Sequence, residues 1–278
     1  MSNTKPEIAF NIKTGAYSSN YHEYGKDTKT TPIIFVHGSG PGVTSWANWS
    51  KILPVLGQDH HVLALDMVGF GYSDRPEGIE YTLDGWIDQV VAFADAKGIE
   101  KFDLVGNSFG GSIALGLAVR FPHRVRKIVL MGAMGVDFSL TYGLDSVWGY
   151  TPSFENMRAI INIFAYNRKI VTDALTQMRY EASIEPGFQE SFSAMFPAPR
   201  QRWVKAQAKY EAQISDLDHP TLIVHGREDL VIPVENSIRI FRLMKHAQLH
   251  IFSECGHWTQ IEQTDRFIKL VRDFVDEA

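Results

Sequence analysis

The chain has 278 residues, 45% of them hydrophobic and 21% charged, which is typical of one large globular domain or of a core with an insertion. With 27 Lys and Arg against 32 Asp and Glu, the net charge of −5 gives no broad attraction for nucleic acid or for an anionic membrane. The single cysteine, Cys255, excludes an intrachain disulfide and cysteine-rich zinc clusters.

Short apolar segments that end in glycine or in a polar turn predict strands along the whole chain. Most of these segments do not alternate with polar residues, as expected for strands covered on both faces of a parallel sheet. Helical patterns separate them, and this alternation predicts an α/β fold with a mostly parallel central sheet flanked by helices. The predicted strands are Pro32–Gly38, His61–Met67, Phe102–Ser108, Lys127–Ala133, Thr221–Asp229 and Gln248–His257, and the predicted helices are Leu83–Gly98, Gly110–Pro122, Val234–His246 and Thr264–Ala278.

The alternation stops between about Thr141 and Tyr210, where the chain is helix-prone and rich in aromatic residues and methionine. Strand signals resume only at Thr221. We therefore predict a helical cap, residues 141–210, inserted into a core formed by residues 1–140 and 211–278. The alternative is that this stretch adds further helices to the core.

The segment LVGNSFGGSIAL places Ser108 between a predicted strand and a predicted helix. GNSFG matches the G-x-S-x-G nucleophile elbow, in which a strained turn exposes the serine hydroxyl. Such a close strand–helix corner leaves no room for side chains two residues before and after the serine, and Gly106 and Gly110 occupy these positions. The alternative is a glycine-lined turn in which Ser108 only caps the helix.

A serine nucleophile needs a base, and in this architecture an acid and a histidine follow it in that order at later strand ends. Asp229 follows the segment TLIVHGRE, and His257 follows LHIFSECG. Asp66 also ends a strand but precedes the serine, and Glu228 is the neighbouring rival acid. We predict that Ser108, Asp229 and His257 are the catalytic residues.

Acyl chemistry at a serine also needs hydrogen-bond donors for the developing oxyanion. The amide of Phe109, the residue after the predicted nucleophile, is one candidate. The second candidate is Ser39 or Gly40, in the glycine-rich loop HGSGPG after an early strand. Sequence alone does not choose between the two, and the alternative is that this loop is simply a turn.

Eight motifs are spread from His37 to Glu262: HGSGPGVTSWANW, GNSFGG, FAYNR, MRYEASI, PGFQESF, PRQRW, HGRED and CGHWTQIE. Together they resemble the meta-cleavage-product hydrolases of the α/β-hydrolase superfamily, most closely the 2-hydroxymuconate semialdehyde hydrolases. The resemblance implies hydrolysis of the C5–C6 bond of a 2-hydroxy-6-oxohexa-2,4-dienoate, giving 2-hydroxypenta-2,4-dienoate and a carboxylic acid in aromatic hydrocarbon catabolism. It also implies that neither a cofactor nor a metal is needed.

The resemblance further implies four substrate-binding residues, namely Asn48, Asn107, Arg179 and Trp258. Arg179 corresponds to the cation for the substrate carboxylate, which an acidic protein needs to hold an anion. The alternatives are a solvated arginine, a helix-capping Asn107 and a Trp258 that only packs. The same resemblance places Ala133, Met134 and the cap around the C6 substituent, whose size the sequence leaves open.

The expected ligand is therefore a small anionic molecule, and the resemblance implies a homo-oligomer. The polar N-terminal segment MSNTKPEIAF and the lack of an apolar run of transmembrane length predict a cytoplasmic protein without nucleic-acid or membrane partners. Two rival functions remain open. One is a general serine carboxylesterase of the same fold, and the other is a non-catalytic receptor that binds a small ligand.

Overall fold

The computed structural model describes residues 5–277, so residues 1–4 of the polar N-terminal segment and Ala278 lie outside the described residues. Its centre is one eight-stranded sheet. The strands are β1 (Phe10–Thr14), β2 (Tyr17–Tyr24), β3 (Ile33–Val36), β4 (Val62–Leu65), β5 (Phe102–Asn107), β6 (Val125–Met131), β7 (Thr221–Gly226) and β8 (Ala247–Phe252). They lie in the order β1-β2-β4-β3-β5-β6-β7-β8.

The six strands from β3 to β8 pair in parallel, which confirms the predicted mostly parallel sheet. The sequence patterns missed β1 and β2, which form an antiparallel hairpin and join the sheet through an antiparallel pair of β2 with β4. The segment YSSNYHEY of β2 is mostly polar, so it gives no hydrophobic periodicity. A tight turn with Gly15 at φ 63° closes the hairpin.

Helices cover both faces of the sheet and connect its strands. They are α1 (Ser45–Trp49), α2 (Leu53–Leu56), α3 (Leu83–Ala96), α4 (Phe109–Arg120), α5 (Tyr142–Trp148), α6 (Phe154–Phe164), α7 (Asp173–Ser183), α8 (Phe188–Met195), α9 (Gln201–Gln207), α10 (Val234–Leu243), α11 (Thr259–Glu262) and α12 (Thr264–Asp276). The four predicted helices correspond to α3, α4, α10 and α12.

Alternate residues of each central strand enter two separate hydrophobic cores. Leu104 of β5 packs in the core that includes residues of α3 and α4, whereas its neighbour Val105 packs with residues of α2 and α12. Side chains of a strand point alternately to opposite faces, so a strand buried on both faces is apolar throughout. This explains why the strand segments read as continuous apolar runs.

Between β6 and β7 the described chain forms α5 to α9 and no strand. Parallel strands bring their carboxyl ends to one edge of the sheet, and Ser108, Asp229 and His257 each follow the end of a strand there. In residues 5–277, no helix is long and apolar enough to cross a membrane, and no group of three or more His, Cys, Asp or Glu residues could hold a metal ion.

Candidate active site

Ser108 occupies a strained corner between β5 and α4, with φ 53° and ψ −113°. Its amide donates a hydrogen bond to the carbonyl of Met131, 2.9 Å away at the end of β6. A Cβ at Gly106 would lie 2.3 Å from the carbonyl oxygen of Gly110, and one at Gly110 would lie 2.5 Å from that of Val36. Only glycine fits at these two positions, as the elbow interpretation requires.

Asp229 and His257 form a short, buried contact beside this corner. His257 Nδ1 lies 2.6 Å from Asp229 Oδ2, and their side chains are 4% and 1% exposed. The other carboxylate oxygen accepts the amides of Val231 at 2.7 Å and Ile232 at 2.9 Å, which fixes the carboxylate plane. With Nδ1 donating to the carboxylate, the Nε2 of His257 is left free to act as a base.

A second imidazole also approaches the same carboxylate. His225 Nε2 lies 3.3 Å from Asp229 Oδ2, and its Nδ1 contacts the hydroxyl of Ser237 at 2.6 Å. Burial works to raise the pKa of Asp229, but the neighbouring His257 and His225 outweigh it and hold that pKa well below its usual range. Asp229 is therefore a carboxylate at neutral pH.

The Asp229–His257 pair and Ser108 meet at the end of β6. Gly132 directly follows Met131, the residue that accepts the Ser108 amide. A Cβ on Gly132 would lie 3.3 Å from both Asp229 Oδ2 and His257 Nδ1. Within the described residues no hydrogen bond joins the Ser108 hydroxyl to His257, and such contacts often tighten only when a substrate binds.

The two rival acids have other contacts. The carboxylate of Asp66 accepts the amide of Ser45 at 2.6 Å and that of Tyr72 at 2.8 Å, so it ties loops together on the far side of β3 from β6. Glu228 accepts the amide of Cys255 at 3.0 Å. Of the acids that the sequence left open, only Asp229 contacts His257.

The three predicted oxyanion donors are backbone amides around the corner. Phe109 is the first residue of α4, and a helix leaves its first amides without an internal acceptor. The amides of Ser39 and Gly40 have no hydrogen-bond acceptor within residues 5–277. Ser39 is distinguished by its hydroxyl, which accepts a hydrogen bond from the indole of Trp148 in α5 at 3.1 Å.

A cavity opens beside His257. Arg179 is the single permanently charged residue among the lining residues, all of which belong to the described chain, and no carboxylate lines it. Burial lowers the pKa of Arg179 to about 10, so the guanidinium remains a cation at neutral pH. The lining residues are Gly38, Ser39, Gly40, Pro41, Val43, Asn48, Asn107, Met157, Ile160, Ile161, Phe164, Arg179, His257 and Trp258.

Arg179 is held in place but keeps a donor free. Its Nη2 donates to the carbonyl of Ala47 at 3.2 Å, and its guanidinium lies 5.4 Å from the ring centroid of Trp258. Its Nε is buried and has no hydrogen-bond partner in the described part of the chain. A buried donor without a partner is costly, which suits a group that waits for a ligand.

The two predicted asparagines form one hydrogen-bonded unit in the lining of the same cavity. Asn107 Nδ2 donates to Asn48 Oδ1 at 2.8 Å, so its own Oδ1 is left as an acceptor. That Oδ1 is buried and unpartnered among residues 5–277. The cavity therefore offers a free donor on Arg179 and a free acceptor on Asn107. All four residues predicted to bind substrate line it.

Other predicted and unpredicted residues complete this region. Ala133 and Met134 are fully buried and do not line the cavity. The sequence analysis gave no role to Phe164, which begins the motif FAYNR and whose ring stacks on His257 and Trp258. It also gave none to Glu262, which contacts the same loop. The motif CGHWTQIE contains Glu262, but only the fold shows what its carboxylate touches.

Comparisons with known proteins agree with this geometry. Residues 31–264 match the family described as alpha/beta hydrolase fold. A 2-hydroxy-6-oxo-2,4-heptadienoate hydrolase of Pseudomonas putida is 52% identical over 275 residues, which cover 99% of each chain. A 2-hydroxymuconate semialdehyde hydrolase of Pseudomonas sp. strain CF600 is 54% identical, with 98% of this chain and 95% of the relative covered.

Solved structures point the same way. A serine-to-alanine mutant of the meta-cleavage product hydrolase CumD from Pseudomonas fluorescens IP01, complexed with acetates, superposes with a TM-score of 0.94. Its sequence is 53% identical, and the match covers 96% of this chain and 97% of that one. These likenesses confirm the predicted fold class and the resemblance on which the predicted function depends.

Proposed function

This chain belongs to the α/β-hydrolase family, and we propose that it is a meta-cleavage-product hydrolase of aromatic hydrocarbon catabolism. It hydrolyses the C5–C6 bond of 2-hydroxymuconate semialdehyde or of a 6-alkyl analogue, giving 2-hydroxypenta-2,4-dienoate and a carboxylic acid. The observation that carries this proposal is the charge distribution of the cavity. Its single permanent cation, Arg179, and otherwise largely apolar wall suit a small molecule with a carboxylate at one end.

The free polar groups suit the dienoate end of this substrate. A carboxylate accepts hydrogen bonds only, so it satisfies the unpartnered Nε of Arg179. The 2-hydroxyl group can donate, so it satisfies the unpartnered Oδ1 of Asn107, which Asn48 holds in that orientation. Trp258 forms the apolar wall beside Arg179. A simple neutral ester has no donor for the Asn107 Oδ1 and no charge to pair with the Arg179 guanidinium.

The carbon–carbon bond breaks only if the departing carbon is stabilised. His257 takes the proton of the 2-hydroxyl and delivers one to C5, which gives the 2-oxo tautomer. Its new carbonyl oxygen, like the carboxylate, can accept hydrogen bonds from the Arg179 guanidinium. Ser108 then attacks the C6 carbonyl while His257 takes its proton, and the amide of Phe109 with that of Ser39 or Gly40 holds the oxyanion. Collapse breaks the C5–C6 bond and releases the dienolate, which is protonated to 2-hydroxypenta-2,4-dienoate. Water activated by His257 then cleaves the acyl-enzyme.

Asp229 orients His257 and stabilises its protonated form through the 2.6 Å contact. We also propose that residues 141–210 act as the cap, because Arg179 of α7 and Phe164 of α6 close the cavity over the core. Homo-oligomer formation and a cytoplasmic location stay predictions. The proposal leaves the preferred C6 substituent open, since Ala133 and Met134 do not line the cavity.

The test compares two substrates in three variants. We expect Ser108→Ala to abolish cleavage of 2-hydroxymuconate semialdehyde. Cleavage is measured as the decrease of the substrate's visible absorbance with time. We expect Arg179→Met to lower kcat/KM for this substrate by roughly 10–100-fold, because a hydrogen bond to a charged group contributes about 1.5–3 kcal/mol. For neutral p-nitrophenyl acetate, the same variant should stay within threefold of the wild type.

The control is Arg202→Met, which removes an exposed cation from α9 and should leave both activities unchanged. An equal loss on both substrates in Arg179→Met would contradict the assigned role of the guanidinium. If the wild type prefers the ester, the general carboxylesterase is the better description. Binding of the dienoate without turnover would instead favour a receptor.

A further inference from the structure

The carboxylate of Glu262 joins the segment after α6 to the loop that carries His257. One oxygen accepts the amide of Asn167 at 2.6 Å, and the other accepts the amide of Gly256 at 2.7 Å. Asn167 lies three residues beyond α6, and Gly256 directly precedes His257. Hydrogen bonds from amides to an ionised carboxylate are short and about twice as strong as neutral ones.

Two further contacts hold the same segments together. The carbonyl of Phe164, the last residue of α6, accepts the amide of His257 at 2.7 Å and that of Trp258 at 3.3 Å. The Phe164 ring stacks on the His257 imidazole with 5.6 Å between centroids and an interplanar angle of 20°. The main chain and the side chain of His257 both rest on α6.

Gly256 permits this close approach. A Cβ at position 256 would lie 2.5 Å from the carbonyl oxygen of Phe164 and 2.8 Å from the amide nitrogen of Tyr166. No side chain therefore separates the two segments, and they touch backbone to backbone. A displacement of residues 164–167 would be transmitted directly to the main chain of His257.

We propose that Glu262 is a positioning residue, which presents His257 to the cavity by clamping residues 164–167 against Gly256. This inference rests on the proposed function only in that His257 is taken as the base. The clamp also anchors residues 164–167 within the predicted cap, so that motion of this part of the cap and the placement of His257 are coupled. Reacting groups tolerate little misplacement, and a shift of about 1 Å can cost on the order of 10²-fold in rate.

The experiment uses the full-length enzyme with Glu262→Ala, which removes both acceptors, and Glu262→Gln, which keeps one. For Glu262→Ala we expect kcat to fall on the order of 10²-fold with KM changed less than threefold. The loss should be the same on 2-hydroxymuconate semialdehyde and on p-nitrophenyl acetate, because His257 serves both reactions. Glu262→Gln should lose about tenfold, between the wild type and Ala.

Hydrogen exchange gives a readout independent of activity. In Glu262→Ala the amides of Gly256 and His257 should exchange at least tenfold faster than in the wild type. The control is Asp265→Asn, which removes an exposed acid three residues further along the chain and should leave kcat and exchange unchanged.

A kcat within threefold of the wild type in Glu262→Gln and Glu262→Ala would overturn the proposal, even if the melting temperature falls, since the clamp would then only stabilise the fold. A loss confined to KM would overturn it too. If Glu262→Ala does not fold, Glu262→Gln alone tests the proposal, and a kcat within threefold of the wild type in that variant overturns it. Failure of the proposed function is distinguishable, because it shows in the wild type as ester turnover without dienoate cleavage.

Discussion

Replacing Ser108 by glycine should make the protein more stable while it removes the predicted nucleophile. The residue has φ 53° and ψ −113°, a conformation that L-residues rarely adopt. Holding a non-glycine residue in such a region costs about 1–3 kcal/mol, whereas glycine adopts it freely but loses about 0.5–1 kcal/mol more conformational entropy on folding. The difference predicts that Ser108→Gly raises the free energy of unfolding by about 1 kcal/mol.

The matched control is Ser108→Ala, which removes the same hydroxyl but keeps the Cβ and therefore the strain. The Ser108 side chain makes no capping hydrogen bond, so its loss by itself should cost little. In urea unfolding at 25 °C, we expect the free energy of unfolding of Ser108→Gly to be about 1 kcal/mol higher than that of Ser108→Ala. This difference corresponds to a melting temperature about 2–4 °C higher. Both variants should be inactive on 2-hydroxymuconate semialdehyde.

The reasoning fails if Ser108→Gly is no more stable than Ser108→Ala. That result would mean that the corner stores no strain, and Ser108 would then sit in an ordinary turn. Residual activity in Ser108→Ala near the wild-type rate would separately refute nucleophilic attack by this hydroxyl.

Asp229→Asn should lower kcat on the order of 10⁴-fold, because the amide no longer holds His257 in the required tautomer. Since the folded-state pKa of Asp229 is depressed, its contribution to stability is complete above the unfolded-state value of about 3.9 and is lost as pH falls through the folded-state pKa. Urea unfolding of the wild type and of Asp229→Asn between pH 7 and pH 3 should therefore show that the difference in their free energies of unfolding becomes smaller as the pH falls. A difference that does not change with pH would contradict this. Burial raises the pKa of the Cys255 thiol to about 12, so iodoacetamide at pH 8 should leave the native protein unmodified and label it once in urea, as mass spectrometry can check. Rapid labelling of the native protein would show that the thiol is accessible.

The local parts of the fold and site were predictable because local residues determine them. Strands buried on both faces must be apolar along their whole length, so six of the eight strands stood out in the sequence. The corner at Ser108 needs glycine on both sides within five residues, which makes it readable as a motif. The chain order of Ser108, Asp229 and His257 followed from the order of the strands, and the 2.6 Å contact between the last two agrees with it.

Contacts between residues far apart in the chain could not be predicted, because they depend on how the elements pack. The hairpin of β1 and β2 is too polar to show periodicity and forms because β4 offers its edge. Asp66 and Asp229 both follow strands, and chain order alone disfavoured Asp66. The contact between Asp229 and His257 depends on the order of the strands in the sheet.

The cavity and the clamp are of the same kind. Arg179 meets Ala47 across 132 positions of sequence, and Glu262 meets Asn167 across 95. No local propensity encodes such pairs, since their hydrogen bonds form only after the sheet and the helices over it have packed together. Residue types and their local order therefore indicate which chemistry the chain can carry, whereas packing selects which buried donors and acceptors stay without a partner.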